Sequence, residues 1–483
     1  MNEELKNLRP TKLFQYFGEI LSVPRPSKKE EKMTAYLVQW GKDHDIETHT
    51  DKVGNVLMRK SATPGYENQP WICLQSHMDM VCEKNSDKDF NFETDTIEAY
   101  VDNGWLKANG TTLGADDGIG VATALAILDS DDIAHGPLEC LFTVDEETGL
   151  TGANALDKDF LKSRILLNLD SEDEGEIFIG CAGGKDTIAK IPFHTEKTPS
   201  GYTAFKLMVK GLAGGHSGDD INKGLGCANK ILNRMLWMWK DSLLLSHIDG
   251  GNLRNAIARE AYAVVLVPGD KNAEWKKFVE KFTEEVKFEY RTTEPNLEVV
   301  LESASQPTEV FNKESFFKIT NSIYACPHGV LSMSREIPDF VETSTNLASI
   351  KTDGNHVVIT TSQRSSVESS KEDACNMVEA CFLSVGADVW HGDGYPGWAP
   401  NPNSKILAIA VKTYEDLFGR KPIVRAIHAG LECGLIGEKY EGMDMISFGP
   451  TLRGVHSPDE RLDIATVQKF WDHTLAILKT KIQ

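Results

Sequence analysis

One stretch of the sequence sets two adjacent carboxylates between glycines: Thr111-Thr112-Leu113-Gly114-Ala115-Asp116-Asp117-Gly118-Ile119-Gly120. Residues 121–128 continue as an almost wholly apolar segment, and a helix that is apolar on all faces must be buried. Acids at its start would be carried to the edge of a buried core. Taken alone, Asp116 and Asp117 suit a turn or a helix N-terminus, where the macrodipole favours negative charge. The rest of the chain points to a further role.

Other polar residues follow directly on predicted buried strands. They are His77 and Asp79 after residues 71–75, Glu146 and Glu147 after residues 138–144, and Asp170 after residues 165–169. Strands that alternate with helices predict a largely parallel sheet, and ligands of such sheets collect outside the carboxyl ends of the strands. Each residue alone has a plainer explanation, as a strand-end histidine or a solvated acidic loop. Their consistent placement favours a common site.

The composition narrows the classes of function. The chain has 483 residues, of which 41% are hydrophobic and 25% charged, as is ordinary for a globular protein of several domains. A formal net charge of -21 argues against binding to nucleic acid or to an anionic membrane surface. The nine cysteines form no CxxC pair and indicate reduced, packed thiols of a cytoplasmic protein. We expect neither a signal peptide nor a membrane helix, which needs about 18 apolar residues.

The pattern of the sequence changes twice. Strands alternate with helices up to residue 185, and this pattern returns from residue 398 to residue 483. Between them, residues 186–397 alternate like amphipathic strands interrupted by helices, which is typical of an antiparallel α+β domain. The sequence therefore predicts an α/β domain with a mostly parallel sheet, built from residues 1–185 plus 398–483. An α+β domain with two ferredoxin-like halves, residues 186–397, is inserted into it.

Five polar residues suit a pair of divalent metal ions: His77, Asp116, Glu147, Asp170 and His456. Zn, Mn and Co accept imidazole and carboxylate ligands together, and two adjacent ions need about five protein ligands if one carboxylate bridges them. Asp116 has the short side chain and rigid attachment that a bridging ligand needs. Asp79 could hydrogen-bond the other imidazole nitrogen of His77. Glu146 would project differently from Glu147, which leaves its carboxylate free as a general base.

Several motifs occur in a fixed order along the chain. They are His77-x-Asp79, residues 114–118, residues 146–149, Asp170 and the late His456. This order resembles the M20 family of di-metal aminopeptidases, dipeptidases and deacylases, and residues 75–81, 214–218 and 428–434 are similar to its bacterial dipeptidases. The resemblance spans nearly the whole chain. It implies a di-metal aminopeptidase-like catalytic domain, with residues 186–397 as a lid and dimerisation domain.

The resemblance also implies a role for each metal-site residue. One ion would be held by His77, Asp116 and Asp170, and the other by Asp116, Glu147 and His456. Asp116 would bridge the two ions, Glu146 would be the general base, and Asp79 would orient His77. Two divalent ions per subunit are implied, with Zn preferred and Co or Mn as substitutes. A cis peptide is implied between Asp116 and Asp117.

Four residues of the later sequence are candidate substrate contacts. The resemblance implies that His216 stabilises the oxyanion in the partner subunit of a homodimer. Arg364 could bind the C-terminal carboxylate of a substrate through a bidentate pair of hydrogen bonds. Asn255 and His428 are further candidates. A turn histidine and a surface arginine are the plainer alternatives for His216 and Arg364.

The function predicted from these residues is metal-dependent hydrolysis of dipeptides with a free N-terminus. Broad specificity that includes Xaa-His dipeptides is expected, with a cytoplasmic location and small dipeptides as the partners. A tripeptidase or an N-acyl amino acid deacylase on the same scaffold is an alternative. A non-catalytic metal-binding protein is another alternative. The free carboxylate of Glu146 argues against it.

Overall fold

The computed structural model describes residues 4–482. Its α-helices are α1 (Thr11–Ile20), α2 (Glu31–Asp43), α3 (Ala115–Leu128), α4 (Glu146–Gly149), α5 (Thr151–Ala155), α6 (Ala228–Met238), α7 (Asn272–Glu289), α8 (Lys313–Ala325), α9 (Glu368–Leu383), α10 (Lys405–Phe418), α11 (Glu432–Lys439) and α12 (Ile464–Lys479). Short 3-10 helices span Leu5–Asn7 and Gly269–Lys271. Its strands are β1 (Glu47–Thr50), β2 (Val56–Lys60), β3 (Ile72–His77), β4 (Ala99–Asp102), β5 (Trp105–Ala108), β6 (Leu138–Thr143), β7 (Ile165–Asn168), β8 (Glu176–Cys181), β9 (Gly183–Pro192), β10 (Thr195–Lys197), β11 (Tyr202–Lys210), β12 (Leu244–Gly250), β13 (Ala261–Pro268), β14 (Glu298–Ser303), β15 (Glu309–Phe311), β16 (Gly329–Met333), β17 (Val341–Asp353), β18 (His356–Ser365), β19 (Asp388–His391), β20 (Ile423–Ile427), β21 (Asp444–Ser447), β22 (Leu452–Arg453) and β23 (Arg461–Asp463).

The chain folds as two compact units. The first unit comprises Met1–Gly180, Pro400–Ala426 and Leu431–Gln483, and the second comprises Cys181–Ala399 and Ile427–Gly430. The mixed α/β architecture confirms the predicted fold class. Among residues 4–482, no helix is both long enough and apolar enough to span a membrane.

An eight-stranded sheet lies at the centre of the first unit. Its strand order is β1-β2-β6-β3-β7-β21-β8-β20, and the middle strands β6, β3, β7 and β21 run parallel. Strands β3 and β6 are buried at every residue, as expected of parallel strands that are covered on both faces. The carboxyl ends of β6, β3 and β7 therefore lie side by side along one edge of the sheet.

Helix α3 is the buried helix that the apolar segment predicts. Every residue from Asp117 to Leu128 is buried, and the helix packs against α1 and β3. Asp116 and Asp117 keep non-helical backbone angles, so the regular helix begins at Gly118. Asp116 is thus attached to a fixed backbone at the edge of the core. The peptide bond between Asp116 and Asp117 is cis, as the resemblance implied.

A nine-stranded antiparallel sheet runs through the second unit. Its path is β14-β11-β13-β12-β17-β18-β9-β19, and β16 pairs with β17. The two groups of strands meet where β12 pairs with β17 through two residue pairs only, Asp249 with Lys351 and Gly250 with Ile350. Residues of α6, α7, α8 and α9 share one buried core against this sheet. The two halves predicted from the sequence are therefore joined in a single sheet.

Candidate metal centre and substrate-binding residues

The carboxyl ends of the parallel strands carry most of the predicted metal ligands. Strand β3 ends at His77, which lies opposite Thr143 at the end of β6, and Asp170 follows shortly after β7. Two other predicted ligands depend on left-handed backbone. Asp145, at φ 50°, precedes Glu146 and Glu147, and His456 itself has φ 60°. Residues other than glycine seldom adopt this conformation, and it is concentrated at functional sites.

The five predicted ligands form two groups that share Asp116. His77 Nε2 lies 3.1 Å from Asp116 Oδ1 and 3.4 Å from Asp170 Oδ1. His456 Nε2 lies 3.2 Å from Asp116 Oδ2 and 2.9 Å from Glu147 Oε2. In each group the three ligand atoms lie within 4.8 Å of one another. The two oxygens of Asp116 thus face one group each, which is the arrangement that a bridging carboxylate requires.

Asp79 connects His77 to the acids after β6. Its Oδ1 lies 3.3 Å from His77 Nδ1 and accepts the backbone N–H of Glu146 at 3.0 Å. Its Oδ2 accepts the backbone N–H of Glu147 at 3.3 Å. Asp79 is fully buried, so one fixed carboxylate positions both the imidazole and the start of α4. A ligand atom of Glu146 also lies within 4.8 Å of those of His77 and Glu147.

Two buried charges hold the loop that carries Asp116. No sequence motif points to either of them. The carboxylate of Glu460 accepts the backbone N–H groups of Leu113, Gly114 and Ala115 at 2.7, 2.9 and 2.8 Å, and that of Asp116 at 3.4 Å. The guanidinium of Arg25 donates to the carbonyl oxygens of Met78, Asp79 and Gly114. Arg25 therefore ties the loop after β3 to the start of α3. Each of these hydrogen bonds joins segments far apart in the chain, which a local pattern does not reveal.

A further buried acid, Glu432, lies at the start of α11. Its Oε2 accepts Gln75 Nε2 and Thr143 Oγ1, both at 2.6 Å, so it binds the ends of β3 and β6 together. Gln75 Oε1 in turn accepts Asn168 Nδ2 at 2.6 Å on β7. Burial raises the pKa of Glu432 to about 7. This polar row crosses three parallel strands next to the predicted ligands, and it fixes their relative positions.

The close packing of acids and imidazoles shifts their pKa values. Burial would lower the pKa of His77, but the charge of Asp170 and hydrogen bonds with Asp116, Asp170 and Asp79 raise it well above its ordinary value. Hydrogen bonds with Asp116 and Glu147 raise the pKa of His456 to about 11, against the effect of burial. Burial raises the pKa of Asp170 to about 7. The site therefore holds protons that a divalent cation would displace.

The donor set fits a pair of divalent metal ions. Two imidazoles and three carboxylates are ligands that Zn, Mn and Co accept together. Glu147 Oε1 is buried and makes no hydrogen bond within residues 4–482. A buried carboxylate oxygen without a donor is costly in an ordinary protein interior and is explained by a bound cation.

In the second unit, backbone contacts favour one tautomer of His216. Its Nδ1 faces the backbone N–H groups of Gly218 and Asp219, both at 3.3 Å, which favours a ring proton on Nε2, and it lies 3.6 Å from Asp219 Oδ2. Burial and then the charge of Arg364 lower the pKa of His216, which keeps the ring neutral. His216 and Asn255 line one cleft of about 970 Å³, and the carbonyl oxygen of Asn255 accepts the N–H of Ser217 at 2.8 Å. A neutral His216 therefore lies at the wall of this cleft.

Arg364 and His428 belong to the second unit as well. The side chain of Arg364 is 7% exposed, and it makes no ion pair with a carboxylate of residues 4–482. His428 Nε2 lies 2.7 Å from Ser344 Oγ, and Ser344 is the strand partner of Arg364. Burial, followed by the guanidinium charge of Arg364, lowers the pKa of His428 to about 3. A nearly buried cation among neutral side chains is suited to binding an anion.

Comparison with known proteins gives consistent matches. Residues 73–479 match the model of peptidase family M20/M25/M40. The chain is 43% identical over 481 residues to the cytosol non-specific dipeptidase of Escherichia coli K12, with 99% of both chains covered. The aminoacylhistidine dipeptidase of Vibrio alginolyticus superposes with a TM-score of 0.94 at 42% identity, covering 100% of this chain and 99% of that one. The aminopeptidase PepT of Bacillus cereus, at 18% identity and a TM-score of 0.62 over 98% of both chains, shares the fold.

Proposed function

The chain belongs to peptidase family M20/M25/M40 and is therefore a hydrolase of peptide bonds, and from this premise we propose that it is a metal-dependent dipeptidase. The family predicted from the order of motifs is confirmed. The proposed substrates are dipeptides with a free N-terminus, of broad side-chain specificity and including Xaa-His. The names of the Escherichia coli and Vibrio alginolyticus relatives support this substrate class and a cytoplasmic location.

One observation carries the proposal: the two oxygens of Asp116 face two separate ligand groups. His77, Asp116 and Asp170 would hold one divalent ion, and Asp116, Glu147 and His456 would hold the other. Two such ions, most simply Zn, with Co or Mn able to substitute, would lower the pKa of a water molecule and polarise the scissile carbonyl. Asp79 would keep the imidazole of His77 in the orientation that binding needs.

Glu146 is the proposed general base. Its backbone is fixed by Asp79, and its carboxylate lies next to His77 and Glu147. Burial raises the pKa of Glu146 well above its ordinary value, with Asp170 and Glu147 adding to the effect of burial. A carboxylate with a raised pKa accepts a proton from water readily and can pass it to the leaving amine.

The second unit, to which residues 427–430 also belong, supplies the proposed substrate contacts. We assign residues 1–185 plus 398–483 to a catalytic domain and residues 186–397 to a lid and dimerisation domain. The Nε2–H of His216 would stabilise the oxyanion, and the guanidinium of Arg364 would bind the substrate's C-terminal carboxylate. Asn255 and His428 are proposed to complete these contacts. Recognition of the carboxylate would favour dipeptides over longer chains.

A substrate screen tests the proposed function. Protein loaded with Zn, Mn or Co should hydrolyse free dipeptides, Xaa-His among them, at least about tenfold better in kcat/KM than their N-acetyl forms or matched tripeptides. The same protein treated with a chelator serves as the control. Preference for the N-acetyl form would make the chain a deacylase, and preference for tripeptides a tripeptidase. Loss of all hydrolysis with metal bound would favour a non-catalytic binding protein.

A mixing experiment tests the homodimer and the role of His216. His216→Ala and Glu146→Gln should each be nearly inactive as pure proteins. If His216 acts in the partner subunit, a mixed dimer keeps one intact site, so mixing should restore up to about a quarter of wild-type activity. Sedimentation of each variant provides the oligomeric state as a control. Mixtures that exchange subunits but stay inactive would contradict the role across subunits.

A further inference from the structure

Arg364 is held by a small number of specific contacts. Its Nη1 donates to the hydroxyl oxygen of Tyr395 at 2.9 Å, and its Nε donates to Ser217 Oγ at 3.4 Å. A guanidinium has five N–H donors, so these two contacts leave enough for a bidentate bond to a carboxylate. The shorter contact, to Tyr395, is the one that fixes the plane of the guanidinium.

Tyr395 occupies a slot that two glycines create. A Cβ atom on Gly184 or on Gly430 would lie 2.8 Å from atoms of the Tyr395 ring, closer than packing permits. The backbone of Tyr395 pairs with Gly184 in both directions, at 3.1 and 2.8 Å. Lys371 Nζ, which is itself buried, donates to the carbonyl oxygen of Tyr395 at 2.7 Å. Ring and backbone are both fixed, so the hydroxyl is presented to Arg364 from a rigid support.

We propose that Tyr395 is a positioning residue for substrate specificity: its hydroxyl holds the Arg364 guanidinium in the orientation that binds the C-terminal carboxylate of a dipeptide. This inference rests on the proposed function, because it assigns Tyr395 to the carboxylate subsite of that activity. Phe at this position would keep the ring in its slot. The Nη1 donor of Arg364, a residue that is almost wholly buried, would lose its acceptor, and the guanidinium would turn to find another.

The test compares Tyr395→Phe with wild type on a free dipeptide and on the same dipeptide as its C-terminal amide. We expect the KM for the free dipeptide to rise about tenfold, with kcat within about twofold, because an interaction made equally in ground and transition states is lost. Both constants for the amide should stay unchanged. Gly184→Ala, which pushes the ring while keeping its hydroxyl, should give the same selective loss. Tyr440→Phe, which removes a hydroxyl bonded to the Asp157 carbonyl oxygen, is the matched control.

Three outcomes would overturn the inference, and they can be told apart. If wild type prefers the free dipeptide to the amide but Tyr395→Phe keeps that full preference, Tyr395 does not position Arg364. An equal rise in KM for both substrates would also exclude this role, since a general loss of structure affects both. If wild type shows no preference for the free carboxylate, the proposed role of Arg364 fails first, and the role of Tyr395 fails with it.

Discussion

A Glu146→Gln variant should keep its metal ions and lose turnover by about 10²- to 10⁴-fold, the range that a positioned general acid–base group contributes. Gln has nearly the same shape and keeps the backbone N–H that Asp79 accepts at 3.0 Å. The amide cannot take a proton from water. The measurement is kcat on a dipeptide, together with the metal content of the same sample by elemental analysis.

The neighbouring residue supplies the contrast for this experiment. Glu147 Oε2 lies 2.9 Å from His456 Nε2, within the second ligand group. Glu147→Gln should therefore lose metal as well as activity. A Glu146→Gln protein that turns over at a rate near wild type would rule out Glu146 as the base. If that variant instead loses one metal ion, Glu146 is a metal ligand. The geometry allows this role, because a ligand atom of Glu146 lies within 4.8 Å of those of His77 and Glu147.

The clustering of the candidate metal ligands could be predicted because their signal is local and repeated. His77, Glu147 and Asp170 each follow closely on a strand of the central sheet, and the ends of parallel strands converge by the rules of sheet architecture. Asp116 could be singled out because the almost wholly apolar segment 121–128 predicts a buried helix. The sequence therefore contains both the chemistry of the ligands and the reason for their convergence.

The supporting residues could not be predicted, and the reason is physical. Glu460 binds the loop at residues 113–116 from some 345 positions away, and Arg25 binds the carbonyl oxygen of Gly114 from 89 positions away. Read locally, Glu460 belongs to a polar loop and Arg25 to a proline-rich turn. Only tertiary packing buries these charges and gives them partners. In the second unit, the two-pair junction of β12 with β17 is likewise invisible in strand periodicity.

The second large effect is expected from Asp116→Asn, which should lose both metal ions. Asn has one oxygen in place of two and carries no charge, so it cannot face both ligand groups as an anion. We expect turnover below about 0.1% of wild type, since neither ion would be retained to activate water. Titration calorimetry with Zn should give about two sites per wild-type chain and fewer than one per variant chain.

Asp117→Asn is the matched control, because it changes the same residue type one position later. Burial, followed by the charge of Asp170, raises the pKa of Asp117 well above its ordinary value, which favours the neutral carboxyl that Asn resembles. Its Oδ1 accepts the N–H of Gly120 at 3.2 Å, which an amide oxygen can also do. This variant should keep two ions. If Asp117→Asn loses metal and Asp116→Asn does not, the bridge has been assigned to the wrong residue.

The pH dependence of binding gives an independent check on the same carboxylate. The metal must displace protons from Asp170, whose pKa is raised to about 7, and from His456, whose pKa is raised to about 11. Between pH 8 and pH 6, His456 stays protonated and Asp170 gains its proton. Because metal binding must release these protons, wild-type affinity should weaken from pH 8 to pH 6. Asp116 makes the largest contribution to the raised pKa of His456. Removing the charge of Asp116 should therefore lower the pKa of His456 in metal-free Asp116→Asn protein. If the His456 imidazole of this variant titrates as in wild type, Asp116 does not face His456 in solution.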